Sequence, residues 1–126
     1  MLRRWTYLIF AFAGLSLTIS CDHVVKYRAR VVASDGEPLV DVAVGCPGRG
    51  PTGPMITNEA GCVSGGRMTK KLVCEFSKDG YQSAKLKVRN RDGMDQYFIV
   101  TLRRVDERNP SEVMSVSESD LNCPPY

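Results

Sequence analysis

Residues 25–31, Val-Lys-Tyr-Arg-Ala-Arg-Val, decide the fold class of this 126-residue chain. Apolar side chains at every second position alternate with basic ones. A period of two with one polar face is typical of a half-buried β-strand. Residues 84–89, Ala-Lys-Leu-Lys-Val-Arg, repeat the same alternation. We therefore predict strands in both stretches, each with a basic outer face.

The rest of the sequence predicts further strands between turn signals. The additional predicted strands are 40–46, 71–76 and 96–103. The predicted turns are 34–38, 57–61, 78–81 and 90–93, and residues 47–54 form a loop rich in proline and glycine. No helical period of useful length follows residue 20. Five or more short strands at this spacing indicate an all-β sandwich.

The N-terminal segment has the composition of an export signal. Arg3 and Arg4 precede an apolar run over residues 8–19, and Ser20 stands before Cys21. A charged start, a short apolar middle and a small residue at the end are typical of a secretory signal. The run is shorter than the ~20 apolar residues that a transmembrane helix needs.

The cysteine at the end of this segment makes it resemble a bacterial lipoprotein signal. The resemblance implies that residues 1–20 are removed and that Cys21 becomes the lipid-bearing first mature residue. The protein is then held by its lipid on the outer side of the cytoplasmic membrane, with palmitate among the attached chains. A simple secreted protein and an uncleaved anchor are the alternatives.

Charge divides the rest of the chain into two parts. Residues 21–105 suit one domain with a net positive charge. Residues 106–126 carry five acidic side chains against Arg108 alone, and we predict an acidic C-terminal tail. The basic domain could lie against anionic lipid headgroups, but a solvated surface is the favoured interpretation. Export argues against a nucleic-acid partner.

Four cysteines remain beside Cys21: Cys46, Cys62, Cys74 and Cys123. An even number in an exported domain predicts two disulfides. Four cysteines allow three pairings, and spacing does not choose among them. They contain no closely spaced pair of the kind that binds zinc, so no metal or cofactor is expected.

Three motifs resemble carboxypeptidase regulatory-like domains. Residues 31–44 look like the opening hairpin of that family, 57–61 like its TDxxG turn, and Gly80-Tyr81 with 100–102 like its closing half. The resemblance covers about residues 25–105. It implies a transthyretin-like (prealbumin-like) Greek-key β-sandwich with no shared catalytic residues, used as a structural, folding or recognition module.

Departures from the family concern one turn, one loosened segment and two cysteines. Asn58 replaces the usual aspartate, and Gly65-Gly66 loosen a segment where a regular strand would run. Cys46 and Cys74 stand where the family has inward aliphatic residues. The resemblance therefore favours a Cys46–Cys74 bond, which leaves Cys62–Cys123 to hold the tail. Cys46–Cys62 is the main alternative.

Candidate catalytic residues are scarce. His23 is the sole histidine and lies two residues from the predicted lipid. A catalytic triad or Cys-His pair needs a histidine on a rigid body, so we expect no catalytic residue and no enzyme. The expected function is a lipoprotein that serves as a protein-interaction or structural module. The alternatives are a glycan- or peptide-binding module that uses the 47–54 loop, and a lipoprotein component of a secretion apparatus.

Asp22 generates a prediction about sorting. An aspartate after the lipidated cysteine resembles the signal that keeps lipoproteins in the inner membrane of enteric-type bacteria, and a plain linker residue is an equal alternative. As a sorting signal, Asp22 predicts that the wild type stays in the inner membrane and that Asp22→Ser moves to the outer membrane. Membrane fractionation of both proteins measures this. Equal distribution of the two would contradict a sorting role.

Overall fold

The computed structural model describes residues 25–46, 55–67, 69–89 and 94–124. The predicted signal 1–20, Cys21, Asp22 and His23 lie outside the described residues, as does the 47–54 loop.

The described chain forms eight strands and one short helix. The strands are β1 (Val25–Val32), β2 (Ala43–Gly45), β3 (Met55–Ile56), β4 (Cys62–Arg67), β5 (Lys71–Ser77), β6 (Ala84–Arg89), β7 (Asp95–Thr101) and β8 (Glu112–Val116), and the helix is α1 (Glu118–Leu121). Sheet A has the order β4-β1-β7-β8 and sheet B the order β3-β2-β5-β6. β1 and β7 run parallel, and the other paired strands run antiparallel. The predicted all-β sandwich is confirmed.

The alternation of β1 and β6 places the core. Val25, Tyr27, Ala29 and Val31 of β1 are buried, and the basic residues between them lie on the opposite face of sheet A. Sheet B contributes the alternate apolar residues of β5 and β6 to the same core. Removing this apolar surface from water is the main stabilising term of the fold.

Strand directions give the sandwich two distinct ends. At the entry end, where the chain enters β1, Val25 pairs with Arg67 at the end of β4, and Lys71 at the start of β5 pairs with Arg89 at the end of β6. The Gln96 amide of β7 donates a 2.6 Å hydrogen bond to the Arg89 carbonyl, which joins the two sheets at this end. The far end holds the connections that follow β1, β5 and β7.

Both disulfides of the described chain lie within this framework. Cys46 is bonded to Cys74, with 4.2 Å between Cα atoms, because the register of β2 and β5 sets the two residues opposite each other. Cys62 is bonded to Cys123, with 6.1 Å between Cα atoms and a sequence separation of 61. The chain therefore has the pairs that the family resemblance favoured, and not Cys46–Cys62.

Gly65 and Gly66 lie in a regular strand rather than a loosened segment. Both belong to β4 and pair with Tyr27 and Lys26 of β1. A Cβ atom at position 65 would stand 2.7 Å from the Tyr27 ring, so glycine makes room for that ring. The expectation of an interrupted strand was wrong. The glycine at position 65 makes room for the ring of Tyr27, which lies on β1 and is not visible from the local sequence.

The C-terminal segment is also more ordered than an acidic tail. Residues 112–116 form β8, an edge strand that pairs with β7 and lies in the segment predicted to be a tail. α1 packs on β7 with Leu121 buried, and Arg28 donates to the Pro124 carbonyl at 3.3 Å. With Cys123 bonded to Cys62, the segment covers part of the outer face of sheet A.

The packing of Gly65 against Tyr27 gives a stability prediction. We expect Gly65→Ala to lower the free energy of unfolding by about 1–3 kcal/mol, because the buried ring has no space into which it can move. Denaturant unfolding measures the change. Gly45→Ala is the matched control, since a Cβ there meets no atom within 4 Å. Equal stability of the two variants would contradict the role given to Gly65.

Candidate functional site

The turn at residues 57–61, which carries part of the family resemblance, has a structural role. The buried Thr57 hydroxyl accepts a 3.0 Å hydrogen bond from the Val42 N–H and donates one of 2.7 Å to the Leu39 carbonyl. Asn58 Oδ1 accepts the N–H groups of Ala60 at 3.0 Å and Cys62 at 2.9 Å. An asparagine oxygen does this as well as an aspartate oxygen. The motif joins the β1–β2 connection to β4.

The centre of the sandwich holds a buried phenol and a disulfide. The Tyr27 hydroxyl of sheet A lies 3.8 Å from Cys46 Sγ of sheet B. Burial disfavours the phenolate and raises the pKa of Tyr27 to about 12. The phenol is thus neutral at physiological pH. The four described cysteines are oxidised, so this centre offers contact between the sheets and no thiolate nucleophile.

A cationic cleft lies where the β6 edge of sheet B faces the β8 edge of sheet A. Its volume is about 640 Å³. Lys71, Lys87 and Arg89 line one wall, and Asp95 and Tyr97 belong to the other. Burial and the nearby carboxylates of Glu118 and Asp95 raise the pKa of the Tyr97 phenol. The cleft therefore has the charge to attract anions and a neutral hydroxyl beside them.

The far end carries a patch of a different chemistry. We define the far-end patch as Val40, Tyr81, Arg104 and Val105. The Arg104 guanidinium lies over the Tyr81 ring, 5.9 Å from its centroid. Val105 is 69% exposed and Val40 is 42% exposed. The turn at 78–81 holds them together, because the Val105 N–H donates to the Gly80 carbonyl and Lys78 Nζ donates to the Val40 carbonyl.

Gln82 holds the loop that presents this patch. Its Nε2 group lies 3.0 Å from the Arg104 carbonyl and 3.1 Å from the carbonyls of Glu107 and Asn109. Ser111 accepts the Arg103 N–H at 2.9 Å and donates to the Gln82 carbonyl at 2.8 Å. These contacts give polar partners to the carbonyls of Arg104, Glu107 and Asn109 and to the Arg103 N–H, and they fasten the loop to Gln82.

Glu107 closes the same loop. Hydrogen bonds from Ser34 and from the Arg104 N–H lower the pKa of the Glu107 carboxyl. The group is therefore ionised at neutral pH and remains an acceptor for both donors. Its contact with Ser34 joins the β7–β8 connection to the β1–β2 turn.

The structure describes some of the residues that the sequence singled out, while others lie outside the described segments. The cysteines 46, 62, 74 and 123 lie in the folded body as two bonds, while Cys21 and Asp22 lie outside the described residues. Sequence reasoning missed Gln82, Arg104 and Val105. No spacing signal marks them, because three carbonyls brought together by the fold create the role of Gln82.

The described residues hold neither a metal-binding cluster nor a membrane-spanning helix. Within residues 25–46, 55–67, 69–89 and 94–124, no group of three histidine, cysteine, aspartate or glutamate side chains is placed to hold a metal ion. The same segments contain no helix long and apolar enough to cross a membrane.

No family model and no curated protein sequence matches this chain. Among solved structures, the chain is similar to 3-chlorocatechol 1,2-dioxygenase from Rhodococcus opacus 1CP, with 14% identity and a TM-score of 0.51. The match covers 68% of this chain and 62% of the dioxygenase chain, so it spans less than two thirds of that enzyme.

This likeness corrects one expectation. The prediction that the chain is not an enzyme was wrong. It relied on the scarcity of candidate catalytic residues, with His23 as the sole histidine, whereas a similar β fold occurs in a dioxygenase. At 14% identity the likeness concerns the fold alone. The fold therefore gives no argument against catalysis.

Proposed function

We propose that this protein is a bacterial lipoprotein, anchored through a lipid on Cys21, whose β-sandwich binds a protein partner at the membrane surface. The proposal rests on the position of the folded domain, which follows directly after the export-type segment. A disulfide-bonded sandwich begins at Val25, four residues after the cysteine that ends an export-type segment.

The disulfides support the extracytoplasmic side of the membrane. Such bonds persist in oxidising compartments and are rare in the cytosol. In a bacterium with two membranes the compartment is the periplasm, and Asp22 favours its inner membrane. The all-β sandwich supports the resemblance to carboxypeptidase regulatory-like domains, whose members serve as structural or recognition modules.

The far-end patch supports a protein partner. Tyrosine and arginine are enriched at the centres of protein interfaces, where they contribute most of the binding energy. In the far-end patch Arg104 is already stacked on Tyr81, and Val105 adds exposed apolar surface. Because Gln82 holds the loop in place, ordering the loop on partner binding costs little conformational entropy.

The anchor proposal predicts the behaviour of Cys21→Ser. This variant lacks the sulfur that carries the lipid, so we expect it to leave the membrane fraction as a folded domain that no longer functions. Fractionation, together with mass spectrometry of the N-terminal peptide, measures anchoring and lipidation. Retention of Cys21→Ser at the membrane with full function would contradict the proposal.

The partner proposal predicts the behaviour of Val105→Lys. A charge at the centre of the far-end patch should lower partner recovery from crosslinked membranes by about tenfold or more. Ile56→Lys is the matched control, because Ile56 is 57% exposed on β3, outside the far-end patch. Equal recovery with both variants would exclude the far-end patch. A purified protein that carries a glycan and no protein partner would favour the ligand-binding alternative.

A further inference from the structure

Cationic side chains from three strands and one turn collect at the entry end of the sandwich. We call them the entry-end cations: Lys26, Lys70, Lys71 and Arg89. All four are exposed, and within the described residues none makes an ion pair. Their positions follow from the register, since Lys26 is the second residue of β1 and Lys71 pairs with Arg89. Lys87 adds a fifth positive charge from the adjoining cleft.

Among the described residues, acidic groups near these cations are fewer. Asp95 lies opposite Lys26 in the backbone register of β1 and β7. Glu118 of α1 lies close enough to Tyr97 to raise the pKa of its phenol. Met94, next to Asp95, is 68% exposed. The entry end thus offers a surplus of positive charge together with an apolar side chain that can enter a headgroup layer.

The predicted lipid lies within short reach of this end. Three residues separate Cys21 from Val25, and four residue steps span at most about 14 Å. Electrostatic attraction between exposed charges extends about 8–10 Å at physiological salt. A lipid on Cys21 therefore lets the entry-end cations come within the range of headgroup charge whenever the linker is less than fully extended.

We propose that the entry-end cations lie on the anionic phospholipid surface and set the orientation of the tethered domain. The proposal rests on lipid anchoring at Cys21. Basic groups next to a membrane anchor are attracted by anionic lipids. Composition alone favours a solvated basic surface, but the collection of cations at the anchored end favours the membrane instead. The far-end patch then points away from the bilayer.

Amine labelling of the mature lipidated protein in vesicles tests the orientation. Vesicles of phosphatidylcholine with 30% phosphatidylglycerol are compared with vesicles of phosphatidylcholine alone, and peptide mass spectrometry gives the labelling rate of each lysine. We expect Lys26, Lys70 and Lys71 to react at least about threefold more slowly on the anionic vesicles. Lys78, at the far end, is the internal reference and should react equally on both. Salt at 1 M, with a Debye length of about 3 Å, should remove the protection.

Charge variants distinguish this surface from a general attraction. Lys87→Gln/Arg89→Gln should reduce the protection of Lys26. Lys85→Gln/Arg108→Gln removes the same charge from exposed positions away from the entry end, keeps Lys78 as the reference and should leave the protection intact. Equal labelling of Lys26, Lys70 and Lys71 on both kinds of vesicle would overturn the orientation while leaving the anchor in place. An N-terminal peptide without lipid would instead overturn the proposed function.

Discussion

The contact of Tyr27 with the Cys46–Cys74 disulfide is the constraint on which the sandwich depends. The phenol starts on β1 in sheet A and ends 3.8 Å from a sulfur in sheet B, so it sets the distance between the layers. Its ring occupies space that a side chain at position 65 would otherwise fill. The disulfide joins β2 to β5, and the glycine lets β4 pair with β1. The buried Tyr27 side chain thus restricts which residues can stand next to it in both sheets.

Strand direction then gives the two ends of the sandwich different surfaces. β1 begins at the entry end and runs parallel to β7, so the chain enters beside the cations and leaves both strands at the far end. The loops of the far end are long enough to build the Gln82 network and present the far-end patch. The same sandwich therefore separates a positively charged end, where the described chain begins, from an end that carries aromatic, arginine and aliphatic groups.

Alternation in the sequence predicts β1, β5, β6 and β7, because each of these strands has one buried face and one face that is less buried. It fails for β4, whose Gly65 is required by a ring on another strand, and for β8, an edge strand with no fully buried residue. The tail is ordered by a bond between cysteines 61 positions apart and by Leu121, which local patterns do not reveal. The disulfide pairs could be anticipated from a family resemblance, whereas the far-end patch depends on carbonyls that meet only in the folded chain.

Tethering changes how strong the far-end patch needs to be. A patch of four residues buries little area and, alone in solution, gives weak binding. On the proposed anchoring, a partner in the same membrane meets the domain at a high effective concentration, so a weak contact is sufficient. The gain requires a domain that presents the patch outward rather than one that tumbles on its linker. A basic entry end held against the headgroups supplies that orientation. On this proposal, the lipid anchor and the positive charge of the domain both contribute to partner binding.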